Sequence, residues 1–437
     1  MSPAARAAEL PRKTSARASR GNVILTLVSS SGPKSYDPKS YDKDLSEIVA
    51  ELNRATPGTR PPAAPAKAAS QTAQPIAAPP VSAETLASLD SLLSYAIRRG
   101  ASDILLIAGS PVTLRVAGAL SPAAGPALGP EDPRDLLLPL LTPAQTHDLQ
   151  RNKSADFCFS REGIGRFRAN LHYQRGTLAA SLRPLPDKIP TLESLHLPPA
   201  LRRLAETRQG LVLVTGPTGC GKSSTLAALV DLINTQRRDH VVTIEDPVEF
   251  VHSNRNSIVE QIEVGSDAPN FAGSLRSILR QNPDVILVGE MRDPETIAMA
   301  LTAAETGHLV LSSLHTNDTS QAVSRILDSF PLGNQPQIRQ QLSLALFAIV
   351  AQQLVPSISG EARYPAVEIL MATSGVRGLI RKGEDHQIYS SISTGRGDGM
   401  MTMEQSLAEL VRSARITRET ALARCFRPED LARYLQG

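Results

Sequence analysis

Apolar residues fall into three regimes along this chain. From Thr56 to Pro80, proline and alanine dominate and large apolar residues are almost absent, which predicts a semi-extended linker with no core of its own. Ahead of it, residues 1–22 carry Arg6, Arg12, Lys13, Arg17 and Arg20 without apolar periodicity and read as a disordered basic arm, a solvated tail being the favoured reading and contact with an anionic lipid surface the other. Val23–Val28 suits one short strand and Asp44–Leu52 a short helix, which makes residues 1–80 an appendage. Beyond residue 80 the pattern becomes periodic. Leu86, Leu89, Leu92, Leu93, Ala96 and Ile97 recur at helical spacing between Ser82 and Arg99, with Gly100 placed to end the helix. Strand-like runs follow at Asp103–Ile107, Val112–Val116, Asp156–Phe159 and Phe167–Tyr173, with a helical stretch over Pro133–Leu149. This order predicts a small α+β domain over residues 81–200, its sheet covered on one face.

From residue 201 the strands change character. Leu211–Val214, Val241–Ile244, Asp284–Val288 and His308–His315 are almost continuously apolar, as strands buried on both faces of a parallel sheet are. Helical segments alternate with them: Leu226, Leu229, Val230 and Ile233 form one stripe, and Ser274–Arg280 and Thr296–Thr306 are two more helices. The β/α alternation predicts a RecA-like P-loop α/β domain over residues 201–375. Residues 376–437 read as helical, with Leu407, Leu410, Val411 and Ala414 packing onto the core, Pro428 opening a last helix, and residues 376–388 left to meet a partner.

Composition narrows the function classes. A formal charge of +3, 3% aromatic residues and no tryptophan offer little to a nucleic acid. The three cysteines, Cys158, Cys220 and Cys425, are isolated, which suits a reducing compartment and no structural zinc site. No run is long enough to span a membrane; the most apolar, Leu342–Val350, stops at Gln352-Gln353. With no signal-peptide core at the N-terminus, a cytoplasmic protein is expected.

The chemistry gathers after the first parallel strand. Gly216-Pro217-Thr218-Gly219-Cys220-Gly221-Lys222-Ser223-Ser224 fits the phosphate-loop pattern G-x-x-x-x-G-K-[ST], set between a strand and a helix N-terminus. In that setting backbone N–H groups and the helix dipole favour a polyphosphate, Lys222 reaches the β- and γ-phosphates, and Ser223 holds Mg²⁺. The second strand ends in Glu245, Asp246 and Glu249, and the third in Glu290, a carboxylate placed to support the metal and the attacking water. His315 ends the fourth; a single histidine is usually structural, but at a strand end facing the γ-phosphate it could instead sense the nucleotide state. Arg166, Arg168, Arg175 and Arg183 recur along the later strands of the first domain; a basic face toward a phosphate and ordinary solubility are equally good readings.

With these residues in view, the sequence resembles the secretion-ATPase superfamily of type IV pilus and type II secretion motors. Gly216–Ser223 matches its Walker A, Thr243–His252 its aspartate box, Arg280–Asp293 its Walker B region and Thr302–Asn317 its histidine box. The similarity runs from about Leu86 to Leu422 and includes Gly100–Asp103 and Gly165–Asn170 of a first domain that resembles the family's PAS-like domain. Lacking the four-cysteine insert usual in the family's assembly and secretion members, the sequence resembles the retraction branch more than theirs. Gly375-Val-Arg-Gly-Leu-Ile380 stands where that branch carries its Ala-Ile-Arg-Asn-Leu-Ile-like motif, with Gly375 and Gly378 departing from it. Cys220 and Asn282 are milder departures, Cys220 being oxidisable if exposed.

The resemblance implies a homo-hexameric, Mg²⁺-dependent ATPase. Within it Lys222 and Ser223 would anchor phosphates and metal, Glu290 would support Mg²⁺ and water, and Glu245 would act as general base. His315 would contact the γ-phosphate region, and Arg168, Arg175 and Arg183, with Arg276 and Arg280, would complete the site across a boundary. It further implies pilus retraction through an inner-membrane platform protein, with membrane contact only through that partner. The alternatives are an assembly or secretion ATPase, or an accessory nucleotide-binding subunit.

Overall fold

The computed structural model describes residues 88–436. The expected strand at Val23–Val28, the helix at Asp44–Leu52, the linker, and the first residues of the helix from Ser82 lie outside them.

Ser88 caps α1 (Leu89–Arg98), its side chain accepting from the Ser91 N–H. Gly100, at φ +64°, ends the helix, a backbone that costs glycine little. There follow β1 (Ala101–Leu106), β2 (Thr113–Val116), β3 (Ala119–Pro122), α2 (Asp132–Leu137), α3 (Pro143–Asn152), β4 (Ser154–Arg161), β5 (Gly165–Gln174) and β6 (Thr177–Leu185). The six strands form one antiparallel sheet in the order β3-β2-β1-β6-β5-β4. Leu92, Leu93 and Ala96 of α1, Leu137 of α2 and Leu149 of α3 join Ile104, Leu114, Phe167, Leu171 and Leu182 in one buried cluster. The expected helical stretch at residues 133–149 is thus two helices, each contributing to that cluster. Ile97, expected on the apolar stripe of α1, is exposed.

The second sheet is built from α4 (Arg202–Glu206), β7 (Gly210–Thr215), α5 (Lys222–Gln236), β8 (His240–Glu245), β9 (Ile258–Glu263), α6 (Phe271–Ile278), β10 (Val285–Val288), α7 (Pro294–Glu305), β11 (Leu309–Leu314), α8 (Thr319–Asp328), α9 (Gln335–Ala345), β12 (Leu346–Pro356) and β13 (Arg363–Met371). Its order is β13-β12-β7-β11-β10-β8-β9, with every pairing parallel except β12 with β13. β7, β10 and β11 are buried at every position, as their unbroken apolar runs require. The carboxyl ends of β7, β8, β10 and β11 lie on one edge of this α/β sheet, where such folds bind ligands. Leu192 and Leu197, ahead of α4, pack into the core of this second sheet.

Among the described residues five α-helices follow β13: α10 (Ser374–Lys382), α11 (Ile388–Thr394), α12 (Met403–Arg412), α13 (Arg418–Arg424) and α14 (Pro428–Gln436). Val376, Ile380 and Ile388, inside the segment expected to meet a partner, are buried in the core of the second sheet, whereas Arg381 and Lys382 are exposed. Leu407 and Leu410 are buried with Val355 and Ala366, so the α12 stripe packs inward. Ala414 lies beyond the helix end at φ +53°. Among the described residues, no helix is long and apolar enough to cross a membrane.

Candidate functional site

The loop between β7 and α5 owes its shape to its glycines. Gly216 has φ +146°, and a Cβ there would lie 2.2 Å from the Gln352 carbonyl oxygen and 2.6 Å from Cys220 Sγ. Gly221, at φ +94°, caps α5 in the left-handed region, and a Cβ on it would lie 2.8 Å from Gln352 Nε2. Cys220 is buried, and burial raises its thiol pKa, so the condition for its oxidation, exposure, is not met.

Lys222 Nζ donates to the carbonyls of Gly216 at 2.9 Å and Pro217 at 3.2 Å. Among the described residues no carboxylate comes within ion-pair distance of it. Burial lowers its pKa, while Glu290 and Glu249 pull the other way. Among the described residues this largely buried ammonium is satisfied by carbonyls alone, and at a helix N-terminus it makes a donor set that fits an anion such as a polyphosphate.

Side-chain hydroxyls align the neighbouring strand ends. Ser312 and Ser313 of β11 donate to the carbonyls of Val288 and Gly289 at 2.7 Å each. Thr215 Oγ1 donates to the Thr316 carbonyl and accepts from the Thr316 N–H, both at 2.9 Å, tying β7 to the turn after β11. These bonds bring Glu290 and His315 together: His315 Nε2 lies 3.3 Å from Glu290 Oε2. Arg292 forms an ion pair with the other Glu290 oxygen. Ser223, first-turn residue of α5, and Glu290 are the oxygen donors that would hold a hard divalent cation beside a bound phosphate.

Glu245 sits at the end of β8, one strand over. A Cβ on Gly289 would lie 3.4 Å from Glu245 Cα, so the two strand ends are in contact. Glu245 Oε1 accepts from Thr243 Oγ1 at 2.7 Å and Gln261 Nε2 at 3.2 Å, and burial raises its pKa. Glu249, four residues on, is the carboxylate of this segment whose charge reaches Lys222.

The arginines divide. Arg166 of β5 donates to the carbonyls of Val248 at 2.8 Å and Glu249 at 3.3 Å, so the first sheet grips the segment after β8. In the sequence it is one of the four basic-face arginines but not among Arg168, Arg175 and Arg183, which are expected to complete the site. Arg168 lies opposite Arg183 and Cys158 in the sheet, and Arg183 is committed to Asp103 at 2.8 Å. Among the described residues, no hydrogen bond or ion pair joins Arg168 or Arg183 to the phosphate loop, Glu245 or Glu290. Arg175 occupies the β5–β6 turn at φ +48°, and Arg276 pairs with Glu295. Asn282 adopts φ +54°, a conformation asparagine tolerates well.

Gln352 of β12 went unnoticed in the sequence except as the end of an apolar run. Its Nε2 donates to the Cys220 carbonyl at 2.7 Å and its Oε1 accepts from Thr225 Oγ1 at 2.8 Å, bridging the loop and the first turn of α5.

The chain is similar to known proteins in sequence and in fold. Residues 193–427 match the family described as Type II/IV secretion system protein. The chain is 42% identical to the type IV pilus ATPase PilU of Pseudomonas aeruginosa over 78% of this chain and 90% of that one. It is 41% identical to the pilus retraction ATPase PilT of the same organism, over 78% of this chain and 99% of that one. The twitching motility protein of Neisseria gonorrhoeae is 43% identical over 73% of this chain and 85% of its own. The crystal structure of the pilus retraction motor PilT with bound ADP superposes with a TM-score of 0.74 at 44% identity, covering 79% of this chain and 99% of that one. The Legionella pneumophila ATPase DotB follows at a TM-score of 0.66 and 28% identity, covering 77% and 94%.

Proposed function

The chain belongs to the type II/IV secretion system protein family, and on that premise we propose that it is a Mg²⁺-dependent ATPase that powers type IV pilus retraction. The observation that carries this reading is the single sheet edge on which the phosphate loop, Glu245, the Glu290–His315 pair and the Arg166-held segment converge. It is supported by likeness to a protein named as a pilus retraction ATPase, almost end to end on that protein's side.

In this reading Lys222 and the N-terminus of α5 bind the polyphosphate, and Ser223 and Glu290 would hold Mg²⁺, which would neutralise charge developing on the phosphates. Glu245, its pKa raised by burial, is the general base, and His315 reports on the γ-phosphate side of Glu290. Arg168 and Arg183 act across a subunit boundary of a homo-hexamer, supplying charge that links hydrolysis to rigid-body movement. The first sheet with its helices is the family's PAS-like domain. The motor works in the cytoplasm and meets the inner membrane through the pilus platform protein.

Removing the chain from its own cell and resupplying wild type or Lys222→Ala tests this, with pilus length followed by fluorescent labelling. Long, non-retracting pili in the absence of the chain, rescued only by wild type, are expected. Loss of pili would indicate an assembly motor instead, and unchanged retraction would contradict a motor role.

A further inference from the structure

We propose that Gln352, on a strand outside every nucleotide-binding motif, is a positioning residue that sets the phosphate loop for nucleotide. The inference rests on the nucleotide-site reading above and deepens it.

β12 runs parallel to β7, with Ala351 beside Thr215, so Gln352 falls level with the loop's first residue, Gly216. The fit is close: only hydrogen on Gly216 and on Gly221 leaves room for the Gln352 backbone and amide. Gln352 is 4% exposed, and both polar ends of its side chain are used. The amide nitrogen donates to the Cys220 carbonyl at 2.7 Å, and the amide oxygen accepts from Thr225 Oγ1 at 2.8 Å. Thr225 Oγ1 also lies 3.1 Å from the Gly221 carbonyl, so the bridge reaches consecutive peptide units.

The consequence for a ligand follows from peptide geometry. The Cys220–Gly221 bond is trans, so its C=O and N–H point to opposite sides. A Cys220 carbonyl drawn onto Gln352 therefore turns the Gly221 N–H away from β12. Among the described residues that N–H makes no hydrogen bond, which leaves it for an anion. Gln352 thus fixes a donor it never touches. An apolar side chain of the same length would leave the Cys220 carbonyl without its buried partner, free to rotate and carry the N–H with it.

The test is titration of the purified full chain with Mg²⁺ and fluorescent N-methylanthraniloyl-ADP, comparing wild type with Gln352→Met, Gln352→Glu and Thr225→Val. Gln352→Met is expected to weaken binding about tenfold, the size of one buried hydrogen bond, and to raise the KM for ATP more than it lowers kcat. Gln352→Glu, which still accepts from Thr225 but cannot donate to Cys220 when ionised, is expected to bind no better than Gln352→Met. Thr225→Val is expected to lose less, about threefold. Thermal melts without nucleotide show whether a variant is folded, and Gln352→Glu carries the test should Gln352→Met fail to fold. Wild-type affinity in folded Gln352→Met or Gln352→Glu would overturn this inference alone. A wild-type chain that binds no ADP would overturn it together with the nucleotide-site reading.

Discussion

His315 Nε2 lies 3.3 Å from Glu290 Oε2, although the two residues stand 25 positions apart. The contact follows from the parallel register of β10 and β11, in which Val288 pairs with Ser312, so that the residues leaving both strands meet at the sheet edge. His315 is half exposed, and Glu290 is the more enclosed of the two. The histidine thus lies at the sheet edge rather than filling a core, where it is available to the proposed site. His315→Ala should lower kcat for ATP by about 10- to 100-fold while ADP affinity stays within about threefold. Steady-state kinetics beside an ADP titration checks this; an unchanged kcat would remove His315 from the site.

Tyr389 pins the C-terminal helices. Its hydroxyl lies 3.2 Å from Glu404 Oε2 and 2.8 Å from Asp430 Oδ2, and the Arg427 guanidinium lies 3.4 Å from the ring centroid. Burial and the two carboxylates push the hydroxyl pKa well above its usual range, so it remains a donor. Tyr389→Phe should cost about 1 kcal/mol, and trypsin should cut faster after Arg424 and Arg427 while sites in the core stay protected. Limited proteolysis followed by mass spectrometry reads the outcome.

Gly378 lies inside α10 with open space around the position a Cβ would take, and Gly375 has only Thr373 Oγ1 at 3.8 Å. Packing therefore demands neither glycine. Gly378→Ala should stabilise the chain by up to about 1 kcal/mol, read as a Tm increase of about 2 °C. A lower Tm would mean the residue serves a constraint other than helix propensity.

His252 sets an acid limit on stability. It is buried, Nδ1 has no hydrogen-bond partner among the described residues, and burial lowers its pKa from 6.5 to about 4, with Asp231 opposing and Arg255 reinforcing the shift. Its folded pKa lies below its unfolded one, so the unfolded chain takes up the proton first as pH falls. Stability is unaffected by this group above about pH 6.5 and is lost between there and pH 4, by about 3 kcal/mol in all. His252→Gln should flatten that part of the curve. Denaturant midpoints measured from pH 7 to pH 4 compare the two proteins.

The strands bearing the site were legible because burial on both faces writes itself as unbroken apolar runs, as at Leu211–Val214. β9 was not legible. It is an edge strand with sequence Ile-Val-Glu-Gln-Ile-Glu, partly exposed along its length, and resembles polar loop. Leu342–Val350 read as one apolar stretch, yet it spans the end of α9 and the start of β12, which periodicity cannot separate when both are buried. Motif spacing led to Lys222, Glu290 and His315, and the structure brings the last two together. It gave no sign of Gln352, whose partner Cys220 is 132 residues away, nor of Arg166 over Arg168. Alternation placed both arginines on one face, but only packing between the sheets decides which one reaches the segment after β8.

The central claim is that this sheet edge hydrolyses ATP through Glu290. The most direct test is the steady-state ATPase rate of the purified chain beside Glu290→Ala, with light scattering on the same samples. The account predicts a wild-type oligomer of hexameric mass with Mg²⁺-dependent turnover, and a Glu290→Ala oligomer of the same mass with activity at least about 100-fold lower. Wild-type activity in Glu290→Ala, or an inert wild-type protein, would contradict it.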